Sequence, residues 1–182
     1  AIGSVGAVRD AVLDLCAAPG GKTTHLGELM RNTGRIVACD VDERRLQTVN
    51  TLAQRLGLTI IETHRLQGEE APPGPFDRVL VDVPCSNTGV LGKRPEARWR
   101  LRPNDLRQLV TLQTRLLRLA IERVRPGGTI VYSTCSIEPE ENRQVIEGVL
   151  RESPDLRLEA DEERRPGMPS DGGYWARLWR KT

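Results

Sequence analysis

AVLDLCAAPGGKTTHLGELMRN, residues 11–32, starts as an apolar run, breaks at Pro-Gly-Gly and resumes with helical spacing. AVLDLC (11–16) reads as a short buried strand and TTHLGELMRN as the helix after it. The alternation then repeats. RIVACD (35–40) is a second strand ending in acid, and VDERRLQTVNTLAQRLG (41–57) puts Leu46, Val49, Leu52, Ala53 and Leu56 on one helical face before Gly57 stops it. LTIIET (58–63), FDRVLVD (76–82) and GTIVYS (128–133) supply three more strands, DLRQLVTLQTRLLRLAIERV (105–124) and EPEENRQVIEGVLRES two more helices, and LRLEA and YWARLWR the last strands. QGEEAPPGP is a turn-rich loop, and residues 83–103 have no clear period and read as a long functional loop. ADEERRPGMPSDGG (160–173) reads as a polar loop of poor order. Near-continuous apolar strands alternating with helices mean a mostly parallel sheet covered on both faces, a single α/β domain over 1–182.

The composition is that of an ordinary globular chain of 182 residues, 38% apolar and 29% charged. A net charge of +2 makes no general case for nucleic acid, so any such case rests on local clusters. No apolar run approaches the ~20 residues that span a bilayer, so no membrane role is expected, and the first residues lack the pattern of a secretory signal. Cys16, Cys39, Cys85 and Cys135 form no C-x-x-C pair, which leaves a metal site unsupported. Scattered single cysteines suit a reducing cytoplasm. His25 and His64 are isolated and read as solvated or locally bonded imidazoles. A monomer is expected.

Ligands of doubly wound sheets sit beyond the carboxyl ends of the strands. At the first end, Gly20 and Gly21 allow close backbone approach, and the helix start attracts negative charge. Residues 16–23 match the phosphate-binding pattern G-x-x-x-x-G-K-[ST] except that Cys16 replaces its first Gly, and Pro19 removes an N–H from the loop. Under that alternative, a P-loop NTPase, the strand ending at Asp82 is the magnesium-binding one. Asp40, 20 positions after Gly20, instead favours a ribose-bearing cofactor. S-adenosylmethionine fits better than NAD, because G-x-G-x-x-G is absent.

Asp82 ends the fourth strand with Pro84-Cys85 behind it, and Cys135 ends the fifth. If those strands are neighbours, ~4.8 Å apart, both thiols and Asp82 meet in one cleft. A lone Cys is more often a small buried hydrophobe, but two at matching strand ends fit that reading poorly. Thiolate attack at C6 of cytosine makes C5 nucleophilic enough to take a methyl group, while an acid such as Asp82 bonds the pyrimidine edge. The second thiol would assist the elimination. A helix starting right after Cys135 would lower its pKa, and Glu138, Glu140 and Glu141 would oppose that, their simpler role being to complement the dipole, with Pro139 in the first turn.

In order, LDLCAAPGGKTTHL, ACDVDERRL, VDVPCSNTGV and YSTCSIEPEEN resemble the motifs of the RNA 5-methylcytosine methyltransferases, above all the bacterial small-subunit ribosomal RNA enzymes of the RsmB (Sun/Fmu) type. DGGYWARL resembles that family's last strand. The resemblance implies a Rossmann-like S-adenosylmethionine-dependent fold of seven strands with the last antiparallel. It implies a cofactor pocket lined by Cys16, Ala17, Ala18, Pro19, Gly20, Gly21 and Lys22, with Asp40 on the ribose and Asp82 at the junction of cofactor and base. It implies Cys135 as nucleophile, Cys85 as helper in release, Lys22 near the active site, and RNA, above all ribosomal RNA, as partner. The family also carries an N-terminal RNA-binding part, absent here, so the chain reads as an excised domain, a truncated product or a stand-alone enzyme. A catalytically silent RNA-binding relic is the remaining alternative.

The sequence departs from the family pattern in three places. IIETHRLQGEE has no Asp after the third strand, leaving Glu62 and Glu69 as available acids. Asn87 stands where Gly is usual after Pro-Cys-Ser, and Arg94 where His or Asn often precedes Pro. Lys93, Arg94, Arg98, Arg100, Arg102 and Arg107 cluster beyond Cys85, with Trp99 among them. Such a cluster can hold phosphates, and Trp can stack a base, so RNA binding is expected of Lys93, Arg94, Arg98, Trp99 and Arg100. The target cytosine must be exposed or flipped to reach the thiols.

Overall fold

The structure, a computed structural model, describes residues 9–68, 70–167 and 170–182. Glu69 lies outside the described residues. Among them, seven strands form one sheet: β1 Ala11–Asp14, β2 Arg35–Asp40, β3 Ile61–Arg65, β4 Phe76–Asp82, β5 Val124–Thr134, β6 Leu156–Arg164 and β7 Gly173–Arg180. The helices are α1 Gly21–Leu29, α2 Glu43–Arg55, α3 Ala97–Arg100, α4 Pro103–Arg123 and α5 Arg143–Glu152. The strand order is β3-β2-β1-β4-β5-β7-β6. β1 to β5 pair in parallel, and β7 runs antiparallel to both β5 and β6.

Alternate residues of the buried strands face opposite layers. Leu13, Val79, Val81, Ile130 and Tyr132 pack with Leu117 and Ala120 of α4 and Val145 and Ile146 of α5. Val12, Ile36, Leu80 and Val131 pack with Leu26 and Met30 of α1, and Ala38 meets Val49 of α2. Helices therefore cover both faces. The face read for α2 is buried at Leu46, Val49 and Ala53, whereas Leu56 ends in solvent. Asp42 caps α2 by accepting from the Arg44 and Arg45 amides.

Two expectations change. Residues 160–164, read as part of a polar loop, belong to β6, with Asp161 opposite Ala176 and Arg164 opposite Gly173. β6 is an edge strand, where charged side chains both find partners and block further pairing. Trp175 Nε1 donates to Glu162, and Tyr174 Oη to Asp161. The last helix, expected directly after Cys135, begins only at Arg143. Residues 136–142 instead make a turn anchored by buried Ser136, Glu141 and Asn142. Thr134 Oγ1 donates to Asn142 Oδ1 at 2.6 Å, Asn142 Nδ2 donates to the Ser136 carbonyl, and the Ser136 hydroxyl accepts from the Glu138 amide. Short polar side chains that bond nearby backbone compete with helix, and here they win.

Candidate active site

The parallel pairing of β4 with β5 sets Asp82 opposite Ser133, so the loops after both strands leave the sheet at one level. Cys85 and Cys135 come together there, half-buried, with their sulfurs 3.1 Å apart. The Cys135 amide also donates to Cys85 Sγ. The Cys135 thiol donates to Asn87 Oδ1 at 3.0 Å, which leaves the Cys85 thiol to donate to Cys135 Sγ. This arrangement makes the sulfurs unequal. The Cys85 bond, helped by the Lys22 charge, holds Cys135 below the usual thiol range against burial and the Asp82 charge. The same bond and burial push Cys85 far up.

Beneath the thiols lies a buried polar network. Glu141 is wholly buried; one carboxylate oxygen accepts from the Ser86 amide at 2.9 Å and from Gln113 Nε2 at 2.8 Å, and the other accepts from the Ser86 hydroxyl. Gln113, from α4, also donates to the Pro84 carbonyl. Ser86, Thr88 and Ser136 hydroxyls join across the two loops. Gly89 donates its amide to the Cys135 carbonyl, and a Cβ at Gly89 would meet that carbonyl at 2.8 Å, so the close approach requires glycine. The acids after Cys135 therefore do not form the first turn of a helix: Glu141 ties the Cys85 loop to the Cys135 loop. The sequence signal was its spacing from Ser136 and Asn142, legible only once α5 is known to start at Arg143.

Asp82 Oδ2 accepts from Lys22 Nζ at 2.5 Å, and Asp82 Oδ1 from Ser133 Oγ at 2.7 Å. Lys22 thus reaches from the first turn across to β4, where a P-loop lysine would lie over its own loop. At the second strand end, Asp40 is 5% exposed; it accepts from the Asp42 amide and pairs with Arg45, whose other nitrogen donates to the Ala18 carbonyl. Arg45, which the sequence did not single out, thereby ties the Asp40 end to the first turn. Asp14 is buried with one oxygen bonded to Thr23 and the other without a partner, and burial pushes its carboxyl up to about 7.

A cleft of about 420 Å³ opens between these ends, lined by Cys16, Ala18, Pro19, Asp40, Asp82, Cys85 and Cys135, with apolar walls from Val41, Leu66 and Leu116. Its size is that of a small-molecule site. Val41 is 62% exposed, an apolar side chain left bare at the mouth. A buried acceptor at Asp40, apolar walls and two thiols at the far end fit a nucleoside carrying a reactive group. Ala17, Gly20, Gly21 and Lys22, expected to line the cofactor pocket, are not among the residues that line this cleft. Gly20 has φ 109°, and a Cβ there would stand 3.2 Å from Val49 Cα, so that glycine serves the packing of α1 against α2. Glu62 pairs with Arg35 at the opposite end of β2, away from the cleft, so it does not replace an acid there. Lys93 pairs with Asp171; Arg94 lines the cleft; Arg98 and Trp99 are exposed; the Arg100 side chain lies outside what is described. His25 is exposed and lies 3.7 Å from Glu28. Among the described residues no group of His, Cys, Asp or Glu is arranged to hold a metal ion, and no helix is long and apolar enough to cross a membrane.

A mixed seven-stranded sheet with β7 reversed, and a ligand cleft at the ends of its parallel strands, define a Rossmann-like fold of the S-adenosylmethionine-dependent methyltransferase class. The family model described as 16S rRNA methyltransferase RsmB/F matches residues 7–172, and the chain belongs to that family. Ribosomal RNA small subunit methyltransferase B of Salmonella paratyphi B is 41% identical over 184 residues, covering 93% of this chain and 42% of that protein. The chain thus spans less than half the length of the curated relatives it matches. Among solved structures, PH0851 superposes with a TM-score of 0.91 at 38% identity, over 95% of this chain and 43% of the other. NSun6 from Pyrococcus horikoshii with SFG superposes at 0.86 with 27% identity, over 95% and 48%.

Proposed function

We propose that this chain is the catalytic domain of a cytoplasmic S-adenosylmethionine-dependent methyltransferase that modifies C5 of a cytosine in ribosomal RNA through a covalent adduct with Cys135. The observation that carries the reading is the unequal thiol pair, two sulfurs 3.1 Å apart at the end of a nucleoside-sized cleft. The SFG carried by NSun6 is an S-adenosylmethionine analogue, which supports the cofactor. Asp40 would take the ribose hydroxyls, Val41 and Leu66 the base, and Cys16, Ala18 and Pro19 with Asp82 the remaining length. Bound there, S-adenosylmethionine supplies an electrophilic methyl group.

The residues divide the work. The Cys135 thiolate adds to C6, and the pair of electrons displaced from the C5–C6 bond makes C5 nucleophilic. Asp82, held by Lys22 and Ser133, bonds the N3 and amino edge of the pyrimidine. Once Cys135 sulfur is bonded to carbon, the negative charge that kept the proton on Cys85 is gone. Cys85 then loses that proton to solvent and, with the methyl group on C5, takes the C5 proton as a base while the C6–S bond breaks to return the Cys135 thiolate. One proton is released per turnover, and the starting pair is restored. Arg94, Arg98, Trp99 and Lys93 would hold the RNA strand at the mouth, with Arg100 beside them.

The test is transfer of labelled methyl from S-adenosylmethionine to ribosomal RNA. Transfer by the wild type and none by Cys135→Ala is expected; undiminished transfer by Cys135→Ala would refute the assigned nucleophile. Cys85→Ala should accumulate a protein–RNA adduct as a shifted band on a denaturing gel, and no band counts against the release role. A protein that fails to bind S-adenosylhomocysteine in a calorimetric titration is the silent relic instead.

A further inference from the structure

Asn87 is the one residue besides Cys85 whose side chain is bonded to Cys135 sulfur among the described residues. Its backbone is left-handed, φ 63° and ψ 22°. Glycine takes that conformation freely, whereas a residue with a Cβ is strained there, although Asn tolerates it better than most. The strain is offset by what the side chain does. Nδ2 donates to the Cys85 carbonyl at 2.9 Å, which fixes the amide plane and leaves Oδ1 facing Cys135 Sγ at 3.0 Å. The orientation is forced: a flipped amide would set its oxygen against the Cys85 carbonyl and lose that bond. Held this way, Oδ1 can accept only from a protonated thiol, because a carbonyl oxygen and a thiolate repel.

We infer that Asn87 is a further catalytic residue, whose side-chain carbonyl aims the Cys135 thiol and retains its proton until substrate arrives. This deepens the proposed function and rests on Cys135 being the nucleophile. Three other side chains, and burial, act on the sulfur from the elements packed round it. Cys85 and Lys22 favour its ionised form, and Asp82 and burial oppose it. Asn87 adds to the opposing side by bonding the neutral form. The chemical consequence is a resting site whose nucleophile is shielded from stray electrophiles. Once the proton has left to solvent, repulsion between Oδ1 and the thiolate directs the sulfur away from Asn87. No other co-reactant is needed, since the step is a single proton loss.

The experiment is the rate of Cys135 alkylation by iodoacetamide across pH, read on the Cys135 peptide by mass spectrometry so that the other three thiols do not interfere. Asn87→Gly keeps the left-handed backbone and removes the amide; at neutral pH it should be alkylated about threefold faster, with its profile moved to lower pH. Asn87→Asp keeps an acceptor and adds negative charge; it should be alkylated more slowly, with the profile moved to higher pH. A Gly variant whose profile is unchanged or moves upward overturns the inference. Alkylation needs neither RNA nor methyl transfer. A failed Cys135→Ala activity test would therefore sink the nucleophile assignment while leaving this readout intact, and an unchanged Asn87→Gly profile would sink only the role of Asn87.

Discussion

Ser86 is 7% exposed and Trp99, a little further along the same connection, is 85% exposed. The first belongs to the pair of loops that hold the thiols, the second to the basic segment beyond them. The buried polar side chains at the centre of the thiol loops are tied across to the other loop or to α4: Ser86 to Glu141 and Ser136, and Gln113 of α4 to Pro84 and Glu141. In the basic segment, Arg94, Arg98 and Trp99 lie open. The difference matches the division of work proposed for the two. Bond formation needs atoms placed to a fraction of an ångström, which takes buried, mutually satisfied hydrogen bonds. Holding a phosphate chain needs only charge at the right distance, and an exposed Arg supplies it while remaining screened by salt.

The comparison breaks first at Glu141. Glu141→Ala orphans the Ser86 amide and one N–H of Gln113 and removes the strongest acceptor of the Ser86 hydroxyl, and should cost about 3–5 kcal/mol in urea unfolding together with most of the activity. A loss under about 1 kcal/mol would mean the loops hold their shape without the network. Asp14 sharpens it from the other side, as a buried acid with one side-chain donor, Thr23. Its folded pKa of about 7 lies above the ordinary 3.8, so the native state keeps a proton the unfolded state has lost between those values. Stability should therefore fall by about 1 kcal/mol per pH unit from pH ~4 to ~7, then level off. Asp14→Asn should remove that slope in urea titrations taken at each pH, and an unchanged slope would assign it to other groups.

At the open segment the effects should be smaller and confined to binding. Trp99→Ala should weaken RNA affinity about tenfold by filter binding, the worth of one stacked base, and change unfolding by less than about 0.5 kcal/mol. Arg98→Ala should weaken it only two- to threefold and lower the salt slope by about one contact. An Arg98 effect that is insensitive to salt would place that side chain in a specific pocket rather than on the phosphates.

Much of this was legible beforehand. The alternation of apolar runs with amphipathic helices located the central strands and long helices to within a few residues, and acids and thiols at strand ends marked the cleft. The failures share a cause. Residues 136–142 have helix-compatible composition, but Thr134, Ser136 and Asn142 satisfy one another, and Tyr132 Oη donates to the Glu141 carbonyl at 2.6 Å. Residues 160–164 are polar and charged, yet pair along β7 because a partner strand was waiting. The second outcome depends on a strand remote in sequence, and the first, besides its local bonds, on Glu141 meeting Ser86 in the loop after β4.

The sequence by itself determined which residues could form strands and which reactive side chains stand at the strand ends, because period and side-chain type act locally. Only the tertiary structure decided which of the two sulfurs is the more easily ionised, what Glu141 and Asn87 touch, and that Lys22 meets Asp82. Those outcomes need β4 laid beside β5, and a low-dielectric interior assembled from segments remote in sequence, which no local pattern contains.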